Sequence, residues 1–399
     1  MQKITFLHIA DLHMGMRLGR FEKSVAHKLR ESRLQALGRA LQGARDNAAD
    51  FIVMAGDLFD DNTVELVLAQ RVLDAVNNAG IAVYVIPGNH DPNRPGSVWQ
   101  RHMSAAQGCL HPMLERAPVH INENTVLLPC PVERKISAQD PTAWIPARAP
   151  GDESIRIAVA HGSVMDRANL PLDDHPIPVD CATLRYVDYV ALGHWHNHKI
   201  YTDASGVARM AYPGTHEQMG FAKDAVFGTG WQAYASDPSM DELQSSTRGC
   251  SLLVTITRGA GRSAVNIKQL DTGNFTWAGE QHKDLDDQAL AALLASLEQR
   301  DNPEKTLLRL KLHGLVSLDS ITAQEAVQDL LQRFVFHELD TSGLHIKPGA
   351  GDMARALGSG ILPRIFDRLA DRESRDPQQD AVHDAALNVL YKLCREAAQ

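Results

Sequence analysis

Five short apolar runs along the chain are built alike: β-forming residues, a stop, then polar side chains of metal-ligand type. Ile4–Ala10 ends at Asp11-Leu12-His13, and Phe51–Ala55 ends at Gly56-Asp57. Val83–Ile86 is stopped by Pro87-Gly88 and followed by Asn89-His90-Asp91. Ile155–Ala160 ends at His161-Gly162, and Tyr189–Leu192 ends at Gly193-His194-Trp195-His196. Apolar runs of this length, bounded by Gly and Pro, read as buried strands. Between the first three lie helical patterns: Leu29, Leu34, Leu37 and Leu41 recur at helical spacing, and residues 64–79 form a second such stretch. Strand, helix, strand, helix, strand predicts a parallel or mixed α/β architecture. In such sheets chemistry collects beyond the carboxyl ends of the strands, where each run here delivers its polar group.

Farther along, residues 97–107 read as a helix, and Val119–Asn122 and Thr125–Leu128 as short strands. Residues 132–152 and 170–178 are rich in Pro or Asp and read as loops. His198–Thr202 and Ala208–Tyr212 form a hairpin pattern leading to Pro213-Gly214-Thr215-His216. Residues 220–249 have weak periodicity and read as a loop insertion. The composition then changes. Strand patterns at Leu252–Thr257, Ala264–Leu270 and Leu307–Leu312 and helix patterns at Asp286–Leu297 and Thr322–Val335 predict a small α+β domain over 250–345, distinct from a first domain over 1–249. A Gly- and Pro-containing linker starts at His345, and amphipathic patterns then place helices within 353–399.

Composition narrows the class. Hydrophobic residues make up 44% and charged residues 22%, as in a soluble globular chain. No apolar run approaches the roughly 20 residues of a membrane helix, and the N-terminus lacks a signal-peptide pattern, so a cytoplasmic protein without membrane partners is expected. The five cysteines are scattered, with no CxxC pair, which disfavours disulfide frameworks and zinc ribbons. A net charge of −9 argues against a protein that coats nucleic acid, yet a local basic strip suffices for a nuclease.

The polar strand ends change the picture most. Buried carboxylates and imidazoles are too costly to leave unpaired, and a metal centre supplies the partner. Asp57 can bridge two cations through its two oxygens; Asp11 and His13 can reach one ion from a single loop; Asn89 offers a neutral oxygen; His161, His194 and His196 complete the set. Oxygen ligands mixed with imidazole suit Mn²⁺, Fe²⁺ or Zn²⁺. Such a pair can activate water and stabilise the entering and leaving oxygens of phosphoryl chemistry. His90 adjoins a ligand and suits proton donation to a departing alkoxide. Asp91 is expected to support a ligand or His90, Asp60 to cap a turn, His198 to sit at the surface or behind the ligands, and His216 to stand near the site. Arg17, Arg20 and Arg94 read first as solvated loop charges.

On Asp11-x-His13, Gly56-Asp57, Gly88-Asn89-His90-Asp91, His161 and Gly193-His194-x-His196, the chain resembles the calcineurin-like metallophosphoesterases over residues 1–216, and within them the SbcD-type DNA repair exonucleases. The resemblance implies a two-sheet β-sandwich flanked by helices, with a small α+β capping domain and C-terminal helices. It implies that Asp11, His13, Asp57 and His196 hold one metal and Asp57, Asn89, His161 and His194 the other, with Mn²⁺ as the usual ion and His90 on the scissile phosphate. It further implies a homodimer that cuts DNA with a coiled-coil ATPase of the SbcC type docked on 353–399. A small-nucleotide phosphodiesterase or phosphatase, and a DNA-end or ATPase tether with incidental cleavage, are the alternatives.

Overall fold

A computed structural model of the 399-residue chain describes residues 1–103, 108–166, 170, 172–221, 249–259, 262–317 and 321–347, with the single helical positions Ile365, Arg368, Ala386 and Val389. The described residues divide into two compact units, the first closing at Thr276 and the second opening at Trp277.

The first unit is a two-sheet sandwich. One sheet is built from β1 (Gln2–Ile9), β2 (Phe51–Ala55), β3 (Val83–Ile86), β4 (Leu110–Pro112), β11 (Cys250–Gly259) and β12 (Arg262–Asp271), in the order β12-β11-β1-β2-β3-β4. The other contains β5 (Val119–Asn122), β6 (Thr125–Cys130), β7 (Ile155–His161), β8 (Tyr189–Gly193), β9 (Lys199–Thr202) and β10 (Ala208–Tyr212), in the order β5-β6-β7-β8-β10-β9. β1, β2 and β3 pair in parallel, as do β6, β7 and β8. Their carboxyl ends therefore point the same way within each sheet.

Both faces of these strands are buried, which explains their unbroken apolar runs. Ile4, Phe6, Phe51, Val53, Ile157, Val159, Tyr189 and Ala191 fill the space between the sheets. Leu7, Ile9, Ile52 and Met54 face the other way and pack with Leu37, Leu41, Val72 and Val76 of helices α1 (Lys23–Asp46) and α2 (Leu66–Ala79). On the far side of the second sheet, Ala158, Val190 and Leu192 pack with Ile177 and Cys181.

A polar side chain of β1 reaches across the sandwich. His8 is fully buried, with Nε2 donating to the Leu192 carbonyl at 3.1 Å and Nδ1 accepting from the Tyr189 hydroxyl at 3.2 Å. Burial lowers its pKa from 6.5 to about 3. Between those values the unfolded chain takes up a proton that the native state refuses, so stability falls as pH drops from 6.5 towards 3. The slope from this group reaches about 1.4 kcal/mol per pH unit. A His8→Gln variant is expected to lose stability less steeply than the parent between pH 6.5 and 4 (roughly, from the same linkage), read by denaturant melts at each pH.

β11 and β12 were expected in the α+β domain but instead extend the first sheet. β11 pairs antiparallel with β1 from Gln2↔Arg258 to His8↔Leu252, and buries Leu252, Val254 and Ile256 between the sheets. This covers an edge that β1 would otherwise expose along its length. Residues 97–107 were expected as one helix; the described part is a π-helical turn, Trp99–Met103.

The second unit has its own core. β13 (Thr276–Leu285), β14 (Thr306–Ser317) and β15 (Phe336–Lys347) form a three-stranded sheet in that order. Leu308, Leu310 and Leu312 meet Leu290, Leu293 and Leu297 of the helix Asp287–Glu298 and Val327 and Leu331 of the helix Ile321–Leu331. The first residues of the linker expected from His345 belong to a strand instead. β15 pairs in parallel with β14 through Ser317↔Lys347, which keeps His345 and Ile346 in the sheet. Most of the expected 220–249 insertion and the expected 353–399 ATPase-binding helices lie outside the described residues.

Candidate metal centre

Four of the seven expected ligands take left-handed backbone angles: Asp11 (φ 56°), His13 (φ 44°), Asp57 (φ 51°) and His194 (φ 113°). Side chains other than glycine resist this region, and such strain gathers at functional sites. It lets the chain turn sharply where a strand ends and aim successive side chains into one space. The loops hold each other in place. Asp11 N–H donates to the Gly56 carbonyl at 3.2 Å and His13 N–H to the Asp57 carbonyl at 3.0 Å. His194 N–H reaches both Asp11 carboxylate oxygens, at 2.9 and 3.1 Å.

Two glycines set how close the loops come. A Cβ on Gly56 would fall 2.2 Å from His161 Nδ1, and one on Gly88 would fall 2.1 Å from Asp57 Oδ1. Gly88→Ala is therefore expected to displace the Asp57 carboxylate and weaken Mn²⁺ uptake by about 10- to 100-fold, the range for losing a ligand's support. A Mn²⁺ titration of the variant checks this.

The expected residues meet. Ligand atoms of Asp11, His13 and His196 lie within 4.8 Å of one another, as do those of His13, Asp57 and His90 and those of Asp11, Asp57 and His161. Asn89 joins through Oδ1, 2.7 Å from His161 Nε2 and 3.2 Å from His194 Nδ1. His194 enters the cluster through Asn89 and, by its backbone, Asp11, rather than through one of those three groups.

The donor chemistry fits divalent cations. His161 Nδ1 donates to the Ala55 carbonyl at 2.9 Å. Its Nε2 faces Asn89 Oδ1 at 2.7 Å and Asp57 Oδ2 at 3.4 Å. His194 repeats the pattern: Nε2 donates to Asp174 Oδ2 at 2.8 Å, and Nδ1 faces Asn89 Oδ1 at 3.2 Å. His13 Nε2 and His196 Nε2 face each other at 3.1 Å. Ring nitrogens gathered with carboxylate and amide oxygens in so small a space are the mixed N/O donor set that a divalent cation takes.

Charge points the same way. Asp11, Asp57 and Asp91 are each 0–1% exposed. Burial, then the Asp57 charge, pushes the Asp11 carboxyl well above the usual range, and Asp91 likewise. Burial acts in the same direction on Asp57, but the neighbouring rings of His161, His13 and His90 hold it well below the usual range. A buried set of this kind calls for positive charge.

His90 sits half-buried at the edge. Its N–H donates to Asp57 Oδ1 at 2.8 Å, and its ring Nδ1 donates to the Asp60 carbonyl at 2.9 Å. Asp60 Oδ1 also lies 3.3 Å from His13 Nδ1, so this residue orients His90 by its carbonyl and faces His13 with its carboxylate. Asp91 supports backbone, not a ligand side chain. Its carboxylate accepts from Gly88 N–H at 2.7 Å and Phe59 N–H at 3.0 Å, tying the ends of β2 and β3 together. His198 turns away to the Tyr212 carbonyl. His216 is buried, with Nε2 donating to the Arg33 carbonyl at 2.8 Å. Arg17 lies exposed, 3.5 Å from Asp61, and Arg20 stacks over Phe21.

Asp174 escaped the sequence reading. It lies in the Pro- and Asp-rich 170–178 stretch, accepts from Ser163 Oγ at 2.6 Å and fixes the His194 tautomer. Burial alone would raise its carboxyl, but the His194 contact lowers it to about 2.

A model of the calcineurin-like phosphoesterases matches residues 4–198. An uncharacterized metallophosphoesterase of Bacillus subtilis, YhaO, is 32% identical over 94 residues, which span 22% of this chain and 23% of that protein. The DNA double-strand break repair protein Mre11 of Archaeoglobus fulgidus is 27% identical over 234 residues, 54% of this chain and 50% of that one. The chain thus matches half or less of the length of these relatives. A dimetal phosphatase from Danio rerio superposes with a TM-score of 0.36 and 14% identity, covering 66% of this chain and 98% of that one. The converging strand ends and the matched sequence give one result: residues 4–198 of this chain are a calcineurin-like phosphoesterase domain.

Proposed function

We propose that the chain is a manganese-dependent DNA nuclease that hydrolyses phosphodiester bonds with two metal ions. The observation that carries the reading is the cluster itself. Asp11, His13, Asp57 and His196 would hold one ion, and Asp57, Asn89, His161 and His194 the other, with Asp57 shared. When bound, such a pair lowers the pKa of a water and offsets charge on the phosphoryl oxygens. The chain's own groups do the rest. Asp60 and Asp174 fix ring orientations, and Asp91 holds the β2 and β3 ends in register. His90, hung by Nδ1 on the Asp60 carbonyl, presents Nε2 as the atom that hands a proton to the departing oxygen.

DNA as substrate is supported by the similarity to the archaeal Mre11, whose name ties it to double-strand breaks. The finer parts belong to the same proposal: a homodimer acting in the cytoplasm, with a coiled-coil ATPase seated on the 353–399 segment. Among the described residues no helix is long and apolar enough to cross a membrane. The test is cleavage of linear duplex DNA with and without Mn²⁺, beside a small aryl phosphodiester. Mn²⁺-dependent cutting of the duplex supports the reading. Turnover of the aryl ester with no cutting of DNA overturns it in favour of a small-nucleotide phosphodiesterase.

A further inference from the structure

Helix α1 buries two polar side chains, Ser32 and Arg33, on the face it turns to the sheet. Arg33 is 3% exposed. Its Nε donates to the Leu12 carbonyl at 2.9 Å and its Nη2 donates to the same oxygen, while Nη1 donates to the Glu217 carbonyl at 3.3 Å. Leu12 is the residue between Asp11 and His13, whose backbones are both in the left-handed region. Two charge-assisted hydrogen bonds on that one carbonyl fix the peptide that aims both side chains.

Glu217, 2% exposed, faces the other way. Its carboxylate accepts from Ser32 Oγ, from Asn274 N–H at 2.8 Å and from Phe275 N–H at 3.1 Å. Thr272 Oγ1 donates to the His216 carbonyl at 2.6 Å, and Arg39 Nε to the Thr272 carbonyl at 2.6 Å. One buried polar chain thus runs from the loop of Asp11 and His13, through α1 and Glu217, to the segment 272–275. The first unit closes just beyond that segment, at Thr276. An apolar pair would fill this space without the desolvation of two charges, so packing alone does not account for them.

We propose that Arg33 and Glu217 are positioning residues: they form a clamp that holds Asp11 and His13 in ligand geometry and couples metal binding there to the 272–275 segment. The inference rests on the two-metal reading. Coupling of this kind is reciprocal: a group that tightens one end is tightened by the other.

The test uses the full chain and Mn²⁺ alone. Binding is followed by the loss of the free Mn²⁺ paramagnetic resonance signal, and amide exchange at Asn274 and Phe275 by mass spectrometry. In the parent chain, Mn²⁺ is expected to slow exchange at these amides by about five-fold or more, the lower range of such couplings. Arg33→Lys keeps the charge but not the two-pronged grip. It is expected to weaken one of two bound ions by about 10- to 100-fold, spare the other, and abolish the Mn²⁺ effect on exchange. A general loss of packing would weaken both ions alike and would overturn the proposal, as would a variant isotherm identical to the parent's. If Arg33→Lys does not fold, the parent decides: unchanged exchange at Asn274 and Phe275 on Mn²⁺ addition overturns the coupling. A parent chain that binds no Mn²⁺ is a different result, which removes the metal reading and the proposal with it.

Discussion

Asp57→Asn is expected to abolish two-metal binding and lower kcat/KM by at least about 10³-fold, on the scale of removing charge stabilisation from an active site. Asp57 belongs to two of the candidate groups, with His13 and His90 in one and Asp11 and His161 in the other; Asp11 is also in two, with His13 and His196 and with Asp57 and His161. Its Oδ2 lies 3.4 Å from His161 Nε2 and 3.6 Å from His13 Nε2. Asparagine keeps the size and one acceptor for the His90 N–H, but it lacks the second anionic oxygen and the charge. The loss should therefore appear in metal binding before it appears in folding. Mn²⁺ at 100 times its dissociation constant should stabilise the parent by about 2.7 kcal/mol. The variant should show none of that increment, with a metal-free melting temperature near the parent's. Mn²⁺ stabilisation equal in both proteins would show that Asp57 is not shared between ions.

What made this centre legible before any coordinates is that the fold presents it one strand at a time. Asp11, Asp57, Asn89, His161 and His194 each follow a buried apolar run, and burial on both faces leaves such runs uninterrupted. A polar residue directly after one stands out. Residues that hold the ligands give no such signal. Asp174 lies in a loop, and its partner His194 is 20 positions away. Arg33 reads as an ordinary helix cation, although it is buried and spends its donors on the carbonyls of Leu12 and Glu217. These contacts are made by loop geometry and helix rotation, which the spacing of apolar residues does not encode. β11 and β12 show the same limit at the scale of the sheet. Their alternation marks them as strands, but the choice of β1 as partner, some 250 residues back, comes from an open edge that only the folded sheet presents.

His90 is where the reading of the reaction is most exposed to test. His90→Asn is expected to lower kcat on DNA by about 10²- to 10⁴-fold, the usual contribution of a positioned proton donor, while Mn²⁺ stoichiometry stays at the parent's value. The ring hangs by Nδ1–H from the Asp60 carbonyl, which can only accept, so Nε2 is the one atom free to give a proton. The ring also packs edge-on to His13, with centroids 4.6 Å apart, close enough to belong to a metal group itself. The two roles separate by leaving group. An alkoxide leaving DNA needs the proton; a nitrophenolate, already a stable anion, does not. If His90 donates the proton, the variant's deficit should shrink by at least about ten-fold on a nitrophenyl phosphodiester. If His90 holds metal, the deficit should be the same on both substrates, and the Mn²⁺ titration should fall short of the parent's. An equal deficit with full metal uptake would assign His90 to neither role and would place the proton source elsewhere on the rim.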